Sequence, residues 1–289
     1  EVDEIQHPSV REALKYLDIT SGLELHHDGD LPARTGLGSS SSFTVGLLHA
    51  LYGLKGVMPS KMQLAQDAIQ IEQERLKENV GSQDQVMAAF GGFNRVDFQR
   101  EGSIQVAPIP LDRERLLRLQ DRLMLVYTGI SRTASEVAAE QIKSIRHKTE
   151  TLRTMHQMVD AAVGILQGCG DLSAFGKLMD EGWRLKRSLT DLISNPMIDE
   201  LYARALGAGA LGGKLLGAGG GGFLLLYVEP ERQAQVKEAL GELLHVPLEF
   251  EHSGSRIIFF DADGQEASFN QEGIKPSAAL EPAPEEIST

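Results

Sequence analysis

The apolar and polar positions of residues 8–16 fit a short helix, and Leu23-Glu24-Leu25-His26 alternates as a half-buried strand would. The pattern breaks at Asp30-Leu31-Pro32 and at the cluster Gly36-Leu37-Gly38-Ser39-Ser40-Ser41-Ser42. From Phe43 helical spacing returns, with Val45, Leu47, Leu48, Leu51 and Tyr52 recurring until Gly53, a suitable C-terminal stop. Ser60 and Gln63 form a capping-box pattern for a second helix that runs to about Leu76, and Ser82 and Gln85 do the same for a third that stops at Gly91-Gly92. Strands are predicted at 93–98, 104–106 and 123–127, the last opening a second lobe. Helical patterns cover 136–166, 173–193 and 197–206, with Asn195-Pro196 as the breaker between the last two. Residues 207–222 hold nine glycines and lead into a strand at 223–228. A helix at 231–244 and strands at 246–250 and 256–260 complete the lobe. Beyond Asp261 the chain turns to Gly, Glu, Pro, Ala and Ser, which predicts a disordered tail.

Composition narrows the classes of function. The chain has 289 residues, more than one core usually needs, and 28 Lys and Arg against 41 Asp and Glu give a formal charge of −13. Excess negative charge speaks against nucleic acid or an anionic membrane as the main partner, while a locally basic pocket for a phosphorylated ligand stays compatible with it. The single cysteine, Cys169, excludes an internal disulfide and a cysteine metal site, so a reducing, cytoplasmic setting is expected. Its Gly-Cys-Gly context suggests a small packing residue. No apolar run approaches the ~20 residues of a membrane span, and the first residues carry no targeting pattern. The histidines, His26-His27 included, lack metal spacing and read as structural or surface groups.

Chemistry is concentrated in a few places. A Gly-x-Gly-Ser-Ser turn entering a helix suits a phosphate, because small residues let backbone N–H groups approach an anion and the helix dipole favours negative charge there. A plain tight turn with a serine-rich cap is the alternative. Gly217, Gly219 and Gly222 satisfy a dinucleotide fingerprint, but a strand follows where that motif needs a helix, so the run reads as a close backbone approach to a ligand or another loop. On the second helix Ala65, Ala68 and Ile69 form the inward stripe. Glu72 continues it, whereas Glu74, about 200° further round, should face solvent. A carboxylate on an apolar stripe calls for a metal, a cation or a buried ion pair. Asp84 falls in a first helical turn, where N–H groups favour its ionised form; plain helix stabilisation is the bland reading. Lys186 and Arg187, near Trp183, are surface charges unless the site lies beside them.

The ordered set Pro32-Ala33-Arg34-Thr35-Gly36-Leu37-Gly38-Ser39-Ser40, then Gly81-Ser82-Gln83-Asp84-Gln85, then Lys214-Leu215-Leu216-Gly217-Ala218-Gly219-Gly220-Gly221-Gly222 resembles the GHMP small-molecule kinases over most of residues 8–260. The wording of residues 81–94 is most similar to the sugar-1-kinase branch. The resemblance implies an α+β fold of two lobes with the site between them. A lobe like ribosomal protein S5 domain 2 is expected at 1–115, without its first strands because nothing in 1–31 matches the family's opening strand and sugar loop. A ferredoxin-like lobe is expected at 116–262 and a tail at 263–289.

The same resemblance implies that Gly36, Leu37, Gly38, Ser39, Ser40 and Ser41 hold the ATP phosphates, with Gly217, Gly219 and Gly220 against that loop. It implies that Ser40 and Glu72 hold Mg²⁺, and that Asp84 accepts or orients the acceptor's proton. Arg132, Thr133, Lys186 and Arg187 are the weaker candidates for the substrate. The implied acceptor is a sugar or sugar phosphate, first the anomeric hydroxyl of a heptose 7-phosphate, with fucose or another hexose as alternatives. A non-catalytic sugar or nucleotide sensor is the rival of another class. Retention of Ser40, Glu72 and Asp84 opposes that rival, and the unmatched sugar loop favours it. No nucleic-acid or membrane partner is expected, and a homodimer is left open.

Overall fold

The computed structural model describes residues 1–20, 22–31, 35–130, 134–144 (side chains from 137) and 147–261. Glu1–Ile257 form one compact unit, and Ile258–Thr289, described only to Asp261, form another.

Among the described residues, four α-helices build the N-terminal lobe: α1 (Pro8–Tyr16), α2 (Ser39–Leu54), α3 (Lys61–Gln70) and α4 (Gln83–Phe90). Helix α2 is apolar on several sides because it packs against the other three, and Val45, Leu48, Leu64, Ala68, Ile71, Val86 and Ala89 form one buried core with Ala13 and Leu14. Buried Asp67 ties these helices together, accepting from Tyr16 Oη at 2.7 Å, Tyr52 Oη at 2.6 Å and Gln63 Nε2 at 2.6 Å. Three donors on two oxygens satisfy a buried carboxylate, so this one is structural. Ser60 caps α3 as expected, through the Gln63 N–H. An antiparallel hairpin of β1 (Asn94–Phe98) and β2 (Ile104–Pro108) pairs Val96 with Val106 and adds both to the same core.

After α5 (Arg113–Gln120), the second lobe forms an antiparallel sheet in the order β4-β5-β3-β6, made from β3 (Leu123–Tyr127), β4 (Ala210–Leu215), β5 (Phe223–Val228) and β6 (His245–Val246). The near-continuous apolar run of β5 is buried along its length because it is central. Helices α6 (Ala134–Ser144), α7 (Thr149–Gln167), α8 (Ser173–Arg187), α9 (Pro196–Gly207) and α10 (Gln233–Leu240) accompany this sheet. Trp183 of α8 and Ile198, Leu201 and Tyr202 of α9 close the core over Leu215, Leu224 and Leu226.

Several expectations need correction. Residues 23–26 carry no strand, and neither do 256–260. The span 136–166 holds two helices, α6 and α7, rather than one. Helix α8 stops at Arg187 rather than running to 193. Strand β4 lies inside the glycine run, where no strand was predicted. Its composition follows from packing: a Cβ at Gly212 would lie 2.0 Å from the Gly176 carbonyl oxygen of α8, so only a bare backbone fits beneath that helix. Cys169 is exposed, not packed.

Candidate active site

Two glycine loops meet at the N-terminus of α2. A Cβ at Gly217 would come within 2.7 Å of the Gly36 Cα, and one at Gly36 within 3.0 Å of the Leu216 carbonyl oxygen, so the backbones touch with no room for side chains. The second loop joins β4 to β5 and is anchored from outside. Gly220 N donates to Ile193 O at 2.9 Å and Gly222 N to Ile130 O at 2.8 Å, while Thr128 Oγ1 donates to Gly222 O at 2.7 Å. Side chains from α6 and α8 hold two more of its carbonyls: Gln141 Nε2 donates to Ala218 O and Lys186 Nζ to Gly217 O, each at 2.6 Å. Helix α2 begins at Gly38, which has a left-handed φ of 71° and no side chain to cap the first turn. Its leading N–H groups are those a helix leaves without an intrahelical acceptor, and Ser39 and Ser40 stand among them.

Asp84 comes to the same point from the first turn of α4. A Cβ at Gly38 would lie 3.1–3.2 Å from its Cβ, Cγ and Oδ2, so the carboxylate packs directly on the backbone of the first glycine loop. Burial raises its pKa, opposite to the helix-terminus effect expected from sequence, while a hydrogen bond from Gln83 and the charges of Lys214 and Lys186 act to lower it.

Glu72 lies inward and Glu74 outward, as the helical stripe predicts. Glu72 sits on a π-helical turn, Ile71–Arg75, that continues α3. Such a turn re-aims side chains and is frequent at functional sites. Its Oε2 accepts from Ser41 Oγ at 2.8 Å and Gln85 Nε2 at 2.5 Å, and its Oε1 is buried without a partner among the described residues. Burial raises its pKa, against the hydrogen bonds from Ser41 and Gln85. The hydroxyl that reaches Glu72 belongs to Ser41, whereas Ser40, paired with Glu72 in the sequence reading, is exposed. An anionic oxygen with no donor suits a hard divalent cation. Mg²⁺ commonly takes one or two carboxylates and completes its shell with water and phosphate oxygens, so a single buried glutamate beside a phosphate loop fits it. Among the described residues no group of three or more His, Cys, Asp or Glu side chains forms a self-sufficient metal cage.

Of the remaining candidates, Lys186 is brought to the site and Arg187 is not, since Arg187 pairs with Asp199 at 3.0 Å. Arg132 and Thr133 lie outside the described residues. Sequence reasoning missed two participants. Gln85 was assigned to a capping box, yet it is fully buried on Glu72, while the hydroxyl of Ser82 accepts from Gln73. Lys214 was part of a quoted motif without a role, because the strand that carries it was not anticipated.

This arrangement, two touching glycine loops with a carboxylate packed on one and a second carboxylate beneath its helix, has the backbone donors to receive a phosphorylated ligand and a carboxylate beside them that could accept a proton. Comparison with known proteins gives the class. Residues 8–92 match the GHMP kinases N terminal domain and residues 161–246 the GHMP kinases C terminal model, so the chain belongs to the GHMP kinases. Members of this family are phosphotransferases that act on an alcohol group with ATP as donor. The chain is similar to the D-glycero-alpha-D-manno-heptose 7-phosphate kinase of Campylobacter jejuni, with 30% identity over 75% of this chain and 64% of that protein. It is also similar to the L-fucokinase/L-fucose-1-P guanylyltransferase of Bacteroides fragilis, 28% identical over 82% of this chain and 25% of that protein. Among solved structures, a D-glycero-D-manno-heptose 1-phosphate kinase from Bacteroides thetaiotaomicron superposes with a TM-score of 0.60 at 27% identity, covering 86% of this chain and 71% of that one. The chain thus spans less than two thirds of the length of either curated relative. Its mixed α and β, two-lobed architecture is that of the family.

Proposed function

We propose that this protein transfers the γ-phosphoryl group of ATP to a sugar or sugar phosphate, and that its acceptor is the anomeric hydroxyl of D-glycero-D-manno-heptose 7-phosphate, giving the 1,7-bisphosphate. The observation that supports the reading is the packing of the Asp84 carboxylate on Gly38, at the N-terminus of α2. Backbone N–H groups from Gly36 to Ser41, backed by Gly217, Gly219 and Gly220, would cradle the phosphates. Glu72 and the serines that begin α2 would hold Mg²⁺, which when bound offsets phosphate charge. Asp84 orients the acceptor hydroxyl and takes its proton. Catalysis of this kind is mostly positioning and charge stabilisation, which suits a site made of anchored backbone. The heptose is favoured by the Campylobacter relative and by the heptose kinase structure, and fucose by the Bacteroides fragilis relative. No described helix is long and apolar enough to cross a membrane, and we place the reaction in the cytoplasm on the ground of the lone cysteine.

The test is ³¹P NMR with MgATP and, in separate tubes, heptose 7-phosphate, fucose, mannose and galactose. An anomeric phosphate signal in the heptose tube, with kcat reduced about 10²–10⁴-fold in Asp84→Asn, is the expected result. A signal only with fucose replaces the acceptor. ATP binding with no product in any tube makes the protein a sensor.

A further inference from the structure

The kinase reading leaves two ammonium groups without a task. On the last turn of α8, Arg184 is taken by Asp180 and Arg187 by Asp199, and Lys186 alone turns to the glycine loop, 2.6 Å from Gly217 O. An ammonium carries three N–H donors, so that bond leaves two free for a ligand. Lys214, whose side chain is exposed, is the penultimate residue of β4, two residues before Leu216, whose carbonyl meets Gly36. Each lysine feels the charge of Asp84, and Lys186 also feels that of Lys214. Yet among the described residues no ion pair joins Asp84 to either lysine. The three charges therefore influence one another without closing into an ion pair among the described residues. Lys214 is open to solvent, so the conflict falls on Lys186, whose positive charge is opposed by burial and by the charge of Lys214 and would be relieved by an incoming anion.

The position decides which anion. An acceptor hydroxyl that gives its proton to Asp84 must sit about 2.6–3.2 Å from it, and the γ-phosphorus about 3–3.5 Å from that hydroxyl. A phosphate at the far end of a seven-carbon sugar lies several bonds away from the anomeric oxygen. Lys186, bonded to the loop that touches Gly36, and Lys214, on the strand that enters that loop, both feel the charge of Asp84 and therefore meet the phosphoryl in transfer before any remote phosphate. Resting on the kinase reading, we propose that Lys186 and Lys214 are catalytic cations that hold the phosphoryl group during transfer, not anchors for the acceptor's own phosphate. The acceptor O–H bond breaks and its proton passes to the Asp84 carboxylate. A bond forms between that oxygen and the γ-phosphorus, and the bond from the γ-phosphorus to the β,γ-bridging oxygen breaks, ADP leaving with the electron pair. Throughout, charge on the three peripheral phosphoryl oxygens faces the two ammoniums.

The experiment compares wild type, Lys186→Met, Lys186→Arg, Lys214→Met and Gln141→Ala in steady-state kinetics. Calorimetric binding of MgADP, with and without aluminium fluoride as a mimic of the transferring phosphoryl, accompanies it. Gln141 donates to the same loop without carrying charge, so it controls for loop anchoring. The proposal expects Lys186→Met to lose about 10²–10³-fold in kcat, the usual cost of one charge-stabilising donor, with KM for the sugar substrate changed less than threefold. It expects fluoride to tighten MgADP binding in wild type and Lys186→Arg but not in Lys186→Met, and Gln141→Ala to keep most of its kcat. A raised KM for the phosphorylated sugar at unchanged kcat would assign the lysines to the acceptor's phosphate and overturn the proposal. Equal losses in Gln141→Ala and Lys186→Met would reduce Lys186 to a loop anchor and overturn it as well. If Lys186→Met does not fold, the Lys214→Met kinetics and the fluoride response decide. A wild type that binds ATP and transfers nothing defeats the kinase reading itself, an outcome separate from these.

Discussion

The contact between Gly38 and Asp84 offers a test in which backbone strain and active-site displacement separate. Gly38 has φ 71° and Gly56, at the far end of α2, has φ 68°, so alanine at either position meets the same left-handed penalty of about 1–2 kcal/mol. Only the surroundings differ. A Cβ at Gly56 meets nothing within 4 Å, while one at Gly38 lies 3.1–3.2 Å from Asp84, short of the 3.4–4 Å of ordinary contact. Relief requires the carboxylate to move by a few tenths of an ångström. If 1 Å of misplacement costs about 10²-fold, that movement lowers kcat by roughly 3–10-fold. Both variants should therefore lose a similar amount of stability, a Tm drop of about 2–4 °C by differential scanning fluorimetry, and only Gly38→Ala should lose kcat in a coupled ADP-release assay. Wild-type kcat in a Gly38→Ala protein with the same Tm loss as Gly56→Ala would show that Asp84 is not positioned by the phosphate loop, and the mechanism would lose its central contact.

Three further outcomes follow from the same geometry. Glu72→Gln keeps an acceptor for Ser41 and Gln85 while removing a buried charge with one unpartnered oxygen, so unfolding in urea should require about 1–3 kcal/mol more, and the Mg²⁺ concentration for half-maximal activity should rise. An unchanged Mg²⁺ titration would make Glu72 a structural group only. Arg187→Met should leave kcat and both KM values at wild type, because its guanidinium is held by Asp199; a raised sugar KM would return it to the site. The pH profile of kcat/KM should be bell-shaped. Its acid limb should lie above the ordinary aspartate range because burial raises Asp84, and its alkaline limb near the value of about 7 to which burial and the charge of Lys214 bring Lys186, Asp84 acting the other way. The folded-state pKa of Lys186 is below the unfolded value, so between about 7 and 10.5 the unfolded chain holds more protons there and this group makes stability rise with pH. Lys186→Arg should remove the alkaline limb, since guanidinium stays charged; a limb that survives belongs to another group.

Much of this site is legible along the chain because its parts are local. The glycine loop before α2, the inward placement of Glu72 and the first-turn position of Asp84 each follow from spacing within a single element. What escaped depends on partners far away in sequence. Gln85 looks like a cap until Glu72, 13 residues earlier, is seen to occupy its amide. Strand β4 was hidden because the pairing with β5 and the packing under α8 that stabilise it override the poor strand propensity of Gly212 and Gly213. Lys214 vanished with it. The strand predicted at 23–26 failed for the converse reason: alternation satisfies the local pattern, but the described residues offer it no neighbouring strand.

Burial alone does not mark the functional carboxylates, and the contrast between Asp67 and Glu72 shows what does. Both lie on the α3 segment or its π-helical continuation, and both are almost fully buried, at 2% and 1% exposure. Asp67 is satisfied by two tyrosines and a glutamine and stabilises the joint of three helices. Glu72 keeps one oxygen without a donor among the described residues, and Asp84 and Lys186 likewise hold charges that their surroundings disfavour. A sequence selected for stability alone would resolve these conflicts, with glutamine at 72 or a closed ion pair at 84. The conflicts instead coincide within one neighbourhood, where two glycine loops leave backbone exposed. Each would be relieved by part of the same ligand: a cation at Glu72, phosphate charge at Lys186 and an acceptor hydroxyl at Asp84. A structural protein that merely tolerated glycine-rich turns would have no reason to place all of these unmet demands where one magnesium nucleotide and one alcohol could answer them together.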